Sequence, residues 1–502
     1  MIEVPHGRHL GVFSTIVLFI SRILGSGIFA TPAFIYKDVG GSPALFGFVW
    51  LMAGLIAYSG LYVFLELGSI IPRSGGTKVF LEIIYRRPKM FATVVFSLYS
   101  LMFGFAVTNS LVFGEYCLYA VQNSGSTAYV PDELKARLIA SVLTITVGLI
   151  HGTSARSGVL VQNVLGFLKL SLLFVMILIG LGILLVPSHF QYNLEWTYES
   201  LVKLKQPVSV SSVCSAIIKA LYSFSGWNAV HHVSSEIANP VRTFRIAGPV
   251  SLLVITVSYF LINMAYLIII PSDEILSSGQ LVGSILFEKI FGYTVGKRFL
   301  TVAIAVCAGG NVFVVLYSVS RMSQEIFREG FLPFSRFMAS NWPHKAPLPA
   351  LLLSLIISVV ILLGLPKSEG SLYDYIVTLE GYLNQVGVLL VAGGIFIIRS
   401  RYPALRAPIR ASVVGTLYIV GISLFLVVTP LAEVFKGPVF PEGKFPHYAL
   451  VGVLLIGLYS LYWAVQFKVL PYLGGYTLVQ HSTILDDGLV VRTWVKSRPT
   501  QI

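Results

Sequence analysis

The chain has 502 residues, of which 56% are apolar and only 11% charged. A soluble chain carries about a quarter charged residues, so too few charges are present here to coat a globular exterior, and the sequence reads as lipid-solvated. The net charge of +13 does not point to nucleic acid. The basic residues sit in short segments between long apolar runs, a placement that membrane topology produces and a phosphate-tracking groove does not.

A helix needs about 20 residues to cross roughly 30 Å of hydrocarbon. Apolar runs of about that length lie at 11–36, 44–70, 90–120, 136–152, 158–186, 208–237, 246–270, 299–324, 348–365, 372–398, 412–431 and 447–468. Each is expected to be helical, because an isolated strand would leave its peptide groups unpaired in lipid. The fold class expected is therefore an all-α polytopic membrane protein with twelve transmembrane helices. No short apolar stretch with a small-residue cleavage site opens the chain, so the first run is expected to remain as a span. Cys117, Cys214 and Cys307 all fall inside apolar runs, and neither a disulfide framework nor a metal ligand set is visible. No cofactor is implied.

Twelve spans put both termini on one side. Placing residues 1–10 and the tail 469–502 in the cytosol assigns Arg73, Lys78, Arg86, Arg87 and Lys89 to one inner loop. Arg321, Arg328, Arg336 and Lys345 fall in a second, and Arg399, Arg401, Arg406 and Arg410 in a third. Roughly twice as many Lys and Arg then lie inside as outside, as the positive-inside rule requires. A plasma membrane location is expected. In the tail, residues 476–495 alternate around Asp486-Asp487-Gly488, which reads as a small hairpin. It is expected to be a solvated tail, with a plug at the inner mouth as the alternative.

Glycine interrupts two spans at matching places. Leu24-Gly25-Ser26-Gly27-Ile28 breaks the first near its middle, with Pro32 following, and Phe224-Ser225-Gly226-Trp227-Asn228 breaks the sixth, with Pro240 following. Five spans separate the two units, an odd offset, so the second unit (208–398) is inverted relative to the first (11–186), with 412–468 as two added spans. Paired breaks in inverted halves mark a transporter site at mid-membrane. Unwinding frees amide N–H groups at the start of the second half-helix, which suit a carboxylate. Carbonyls at the end of the first half suit an ammonium. The amides of Ser26, Gly27 and Ile28 are thus assigned to the carboxylate of an amino acid, and the carbonyls of Ile23, Tyr222, Ser223 and Ser225 to its ammonium. Close packing of small residues is the plainer account of either glycine pair taken alone.

Gly25-Ser26-Gly27-Ile28-Phe29 with Pro32, and Ser225-Gly226-Trp227-Asn228 followed by Glu236, Asn239-Pro240 and Arg242, resemble the L-type transporters of the amino acid–polyamine–organocation superfamily. Gly7-Arg8-His9-Leu10-Gly11-Val12-Phe13-Ser14-Thr15, Pro72-Arg73-Ser74-Gly75-Gly76 and Asn109-Ser110-Leu111-Val112-Phe113-Gly114 resemble the fungal methionine permeases, the low-affinity type above all. The resemblance runs from Gly7 through the twelfth span. It implies a leucine-transporter-type 5+5 inverted repeat in the first ten spans, and uptake of methionine and related neutral amino acids with protons as the coupling ion. Arg22, one turn before the first break, departs from many L-type relatives.

Ionisable groups deep in a span are functional candidates by default. Lys169 lies about eleven residues into the fifth span, roughly 16 Å from the nearer surface, too deep to snorkel. In the L-type pattern a matching lysine reaches the unwound first helix, where sodium-coupled relatives hold a cation, so Lys169 is the candidate coupling site. Glu66 is expected to snorkel near Arg73. Glu236 is expected to form an inner gate with Arg321 or Arg22. Glu115, Lys219 and Glu380 lie in outer halves where any of them could face the vestibule; a Glu115–Lys219 pair is expected, Glu380 is the second candidate for proton carrier, and His231 and His232 read as structural. Tyr222 matches the aromatic outer gate of the L-type family, and Asn109 is expected to add a polar contact for the substrate. Phe224 and Trp227 are either pocket or packing.

The expected partners are thus a small amino acid, a proton and the bilayer. An amino acid sensor of the same fold and a neutral amino acid exchanger are the alternatives. A multispanning enzyme would need a catalytic cluster at the membrane face, and the sequence offers none.

Overall fold

The computed structural model of the chain describes residues 11–71, 77–104, 106–122, 132–153, 155–185, 197–227, 239–342, 347–366, 370–404, 407–436, 444–484 and 490–497. The first apolar run forms three helical pieces, α1 (Val12–Ile23), α2 (Gly27–Ala30) and α3 (Pro32–Asp38). Then come α4 (Pro43–Ile70), α5 (Thr77–Ile84), α6 (Phe91–Met102), α7 (Val107–Val121), α8 (Glu133–Thr153), α9 (Ala155–Leu185) and α10 (Tyr198–Val202). The second half holds α11 (Val210–Ser223), α12 (Pro240–Ile269), α13 (Ser272–Ser277), α14 (Val282–Gly292), α15 (Thr301–Arg328), α16 (Ser335–Met338), α17 (Leu348–Gly364) and α18 (Leu372–Arg401). After α19 (Val413–Val434), α20 (Tyr448–Ala464) and α21 (Leu470–Gly474) comes an antiparallel hairpin of β1 (Thr477–Ile484) and β2 (Val490–Ser497).

Among the described residues, ten helical segments are long and apolar enough to cross a membrane, and α11 and α17 are shorter apolar helices. Local sequence sets the helix starts. Ser42, Ser371 and Ser412 accept from the amides of Leu45, Asp374 and Gly415, while Ser209 and Ser212 form a reciprocal capping box at the head of α11. Large apolar side chains such as Phe13, Phe167, Phe174 and Leu253 stand more than half exposed on the outside of these helices. Water would not tolerate so broad an apolar surface, and lipid does. Where helices cross closely, glycine removes the obstruction: a Cβ on Gly114 of α7 would collide with the Ala136 carbonyl of α8.

Several features depart from the expected spans. The third run divides into α6 and α7 around Gly104, and α15 is entered directly from a π-helical turn at Tyr293–Leu300. The segment between α12 and α15 is folded, with α14 lying against α2: a Cβ on Gly283 would stand 3.0 Å from Phe29. The tail is a hairpin as expected, but it is docked rather than solvated. Arg492 pairs with Glu329 at 2.7 Å, the Trp494 indole donates to the Glu329 carbonyl at 3.0 Å, and Gly330, at φ +73°, meets the Arg492 carbonyl with no room for a side chain. Glu66 also differs from expectation. It is buried, with Arg399 bound to both its oxygens at 2.9 and 2.6 Å and the Ala411 amide at 2.7 Å. A carboxylate at this depth needs that full set of donors, and it fastens α4 to the end of α18 and the head of α19. Arg73 lies outside the described residues.

Candidate functional site

The first helix stops at Ile23, where Leu24 turns to extended backbone, and restarts at Gly27. Among the described residues the amides of Ser26, Gly27 and Ile28 donate to no protein acceptor, since the first bonds of α2 run from Phe29 and Ala30 to the Ser26 carbonyl. These are the orphan donors that a helix start must leave. The other break faces them. The helix α11 ends at Ser223, and Phe224–Gly226 turn away from the helical path.

Two glycines allow this approach. A Cβ on Gly27 would lie 2.7 Å from Ser223 Oγ and 2.8 Å from its Cα, and Gly226, at φ +114°, would bring a Cβ to 3.0 Å from the Arg22 carbonyl. The backbones of the two breaks therefore touch.

Side chains from α12 and α7, with Thr31 between α2 and α3, tie the breaks together. Tyr259 of α12 donates its hydroxyl to the Ser223 carbonyl at 3.0 Å and lies 3.4 Å from the Ile23 carbonyl. Thr31 donates to the Gly27 carbonyl at 2.9 Å and lies 2.9 Å from Ser223 Oγ. Ser26 donates to Asn109 Oδ1 at 2.8 Å, and Tyr222 donates to Thr108 at 2.8 Å. Of the carbonyls expected to face an ammonium, that of Ser223 already accepts from Tyr259 and that of Tyr222 from the Ser225 amide. Each keeps a second lone pair. Phe224 and Trp227 belong to the packing: Phe224 is fully buried against Trp50 and Tyr259, and Trp227 meets Phe64 edge-on at 5.1 Å.

Lys169 is 3% exposed, and its ammonium donates to Asn311 Oδ1 of α15. The amide nitrogen of Asn311 lies 3.4 Å from where a Cβ on Gly25 would stand. The lysine thus adjoins the first break through Asn311 rather than by direct contact with the unwound strand. Lys219 is bound by Asp38 at 2.7 Å and Asp374 at 2.6 Å, and not by Glu115, which is buried on α7. Two short-chain carboxylates at the ends of α3 and α18 reach it first. Glu380 sits within electrostatic reach of the Tyr99, Tyr222 and Tyr373 hydroxyls. Arg22 is half-buried on α1, and Arg321 is exposed with its guanidinium 6.0 Å from the Tyr317 ring. Glu236, Asn228, His231 and His232 lie outside the described residues. No cluster of potential metal ligands is found among those described.

Tyr259, Thr31, Thr108 and Asn311 escaped the sequence reading. A signal existed for two of them: a buried phenol or amide inside a span must find a partner, and the notable one, Asn311, follows Gly309-Gly310.

This architecture of two touching helix breaks in an apolar bundle agrees with the family comparison: residues 10–458 match the family model described as amino acid permease, and the chain belongs to that family. It is 44% identical over 498 residues to the low-affinity methionine permease of Saccharomyces cerevisiae, covering 98% of this chain and 89% of that protein. It is 30% identical to the high-affinity methionine permease of the same yeast, over 96% of this chain and 83% of that one. Asc-type amino acid transporter 1 of Homo sapiens is 27% identical over 85% of this chain and 78% of its own length. The chain is an integral membrane amino acid permease and not an enzyme.

Proposed function

We propose that this permease imports neutral L-amino acids, methionine foremost, by proton symport through alternating access. The observation that carries the reading is the row of three amides at Ser26, Gly27 and Ile28 that donate to no acceptor among the described residues, facing the end of α11 across a contact that only glycine permits. Partial positive charge at the start of α2 takes the substrate carboxylate. Carbonyls of Ile23, Tyr222, Ser223 and Ser225 take its ammonium, with Asn109 orienting Ser26. Methionine follows from the names of the two yeast relatives, and a flexible thioether suits the aromatic edge that Tyr222 offers.

In this reading α11 and α17 complete a set of twelve spans, the first ten form the 5+5 inverted repeat, and both termini lie in the cytosol of a plasma membrane protein. Lys169 supplies a fixed positive charge where other transporters place a metal cation. Tyr222 closes the outer side of the site, and Glu236 with Arg22 or Arg321 closes the inner side.

Purified protein in liposomes decides the matter. Labelled methionine should accumulate when the outside is made acid, without sodium, and be displaced by other neutral amino acids. Binding without accumulation would leave a sensor. Movement only against internal amino acid would leave an exchanger.

A further inference from the structure

The Asp38–Lys219–Asp374 cluster has no part in the site above, yet it joins the elements that carry that site. Asp38 ends α3, the outward continuation of the first broken helix. Lys219 lies one turn before the end of α11, and Asp374 stands in the first turn of α18. The lysine side chain is 3% exposed, against 20% for Asp38 and 31% for Asp374, and the Phe34 ring lies 6.0 Å from its ammonium. Two carboxylates share one ammonium, so the closed cluster carries a net charge of −1 in a confined place. Such a site binds one proton readily.

Helix ends decide which carboxylate takes it. Negative charge is disfavoured at the carbonyl end of α3 and favoured at the amide end of α18, so the proton goes to Asp38. Other ionisable groups around the cluster are the phenols of Tyr373 on α18 and Tyr448 on α20, with Cys214 of α11 beside Tyr448. Glu433 at the end of α19 and His447 before α20 face one another further off, and Lys205 and Asp273 pair at 2.6 Å beyond α3.

We propose that Asp38, Lys219 and Asp374 form a proton-binding latch over the substrate site: with Asp38 charged the latch holds α3 to α11 and α18, and protonation of Asp38 releases α3 and leaves a neutral Lys219–Asp374 pair. The inference rests on the transport reading, and it assigns the outer proton a place of action.

The test is exchange of labelled methionine across liposomes holding the full chain, with equal pH on both sides, from about pH 8 to about pH 5. Wild type should speed up about tenfold on acidification. Asp38→Asn and Asp38→Ser should be fast at every pH. Asp374→Asn, which leaves a neutral Lys219–Asp38 pair, should be slow at every pH. His447→Gln should keep the wild-type profile. Methionine binding to each purified variant normalises the rates for folded protein. Brisk wild-type exchange with a flat pH profile, an Asp38→Asn profile that still rises, or a profile that vanishes with His447 would each overturn the latch alone. Absence of wild-type exchange at every pH would overturn the transport reading and the latch with it.

Discussion

Gly27 and Ser223 meet backbone to backbone: the position of a Cβ on the glycine lies 2.8 Å from the serine Cα. No rotamer of Ser223 relieves that distance, because the obstructing atom belongs to the main chain. Gly27→Ala should therefore separate the breaks at a cost of about 1–3 kcal/mol. At about 1.4 kcal/mol per tenfold, methionine affinity should fall roughly tenfold or more, as measured by saturation binding, while the protein still reaches the membrane.

Tyr222 offers a graded test. Tyr222→Phe loses the hydroxyl's bond to Thr108 and its contact with Ser26, each worth about 0.5–1.5 kcal/mol, and should raise the Km for methionine about tenfold. Tyr222→Ala should weaken uptake far more than it weakens expression. Equal losses in both would make the residue a packing element.

Lys169 and Asn311 should act as a unit. Lys169→Met should abolish concentrative uptake, and Asn311→Ala should reduce it by a similar factor, because each removes the link through which the ammonium adjoins the first break. A double variant no worse than either single one would establish the coupling.

Glu66 and Arg399 should matter for stability alone. Removing one partner of a buried pair strands the other and costs about 3–5 kcal/mol. Glu66→Ala should lower the thermal midpoint of the purified protein and its yield, with little change in methionine affinity per folded molecule.

Glu329 gives the tail a pH response. Burial alone would raise its carboxyl, but Lys78 at 3.0 Å and Arg492 at 2.7 Å outweigh that and hold it below its ordinary value. A lowered folded value contributes stability above the unfolded value, and that contribution is lost as pH falls through the folded one. Hydrogen exchange over 477–497 should accelerate in that acid window. Glu329→Gln should reproduce the acceleration at neutral pH.

The apolar runs and both glycine breaks were legible in the sequence because lipid imposes a length and glycine marks a departure from it. The amides of Ser26, Gly27 and Ile28 could be named for the same reason: a helix restart always leaves its first donors free. Partner choice was not legible. Lys219 lies near Asp38 and Asp374 across three helices, and Glu66 finds Arg399 from 333 residues away in the chain, contacts that no local spacing encodes. The third run looked continuous because its break at Gly104 carries one glycine and no proline.

The docked hairpin bears on the order of assembly. Lys78 follows the second long helix, Glu329 follows α15, and Arg492 comes after α20 and α21. Domains form from the N-terminal end during synthesis, so Lys78 and Glu329 can meet before the later helices are made, but Arg492 and Trp494 can join them only after α20 has been synthesised. One face of the bundle is therefore completed only once the described apolar helices have all been made, and a transcript truncated before Thr477 would yield those helices yet leave that face permanently unfinished.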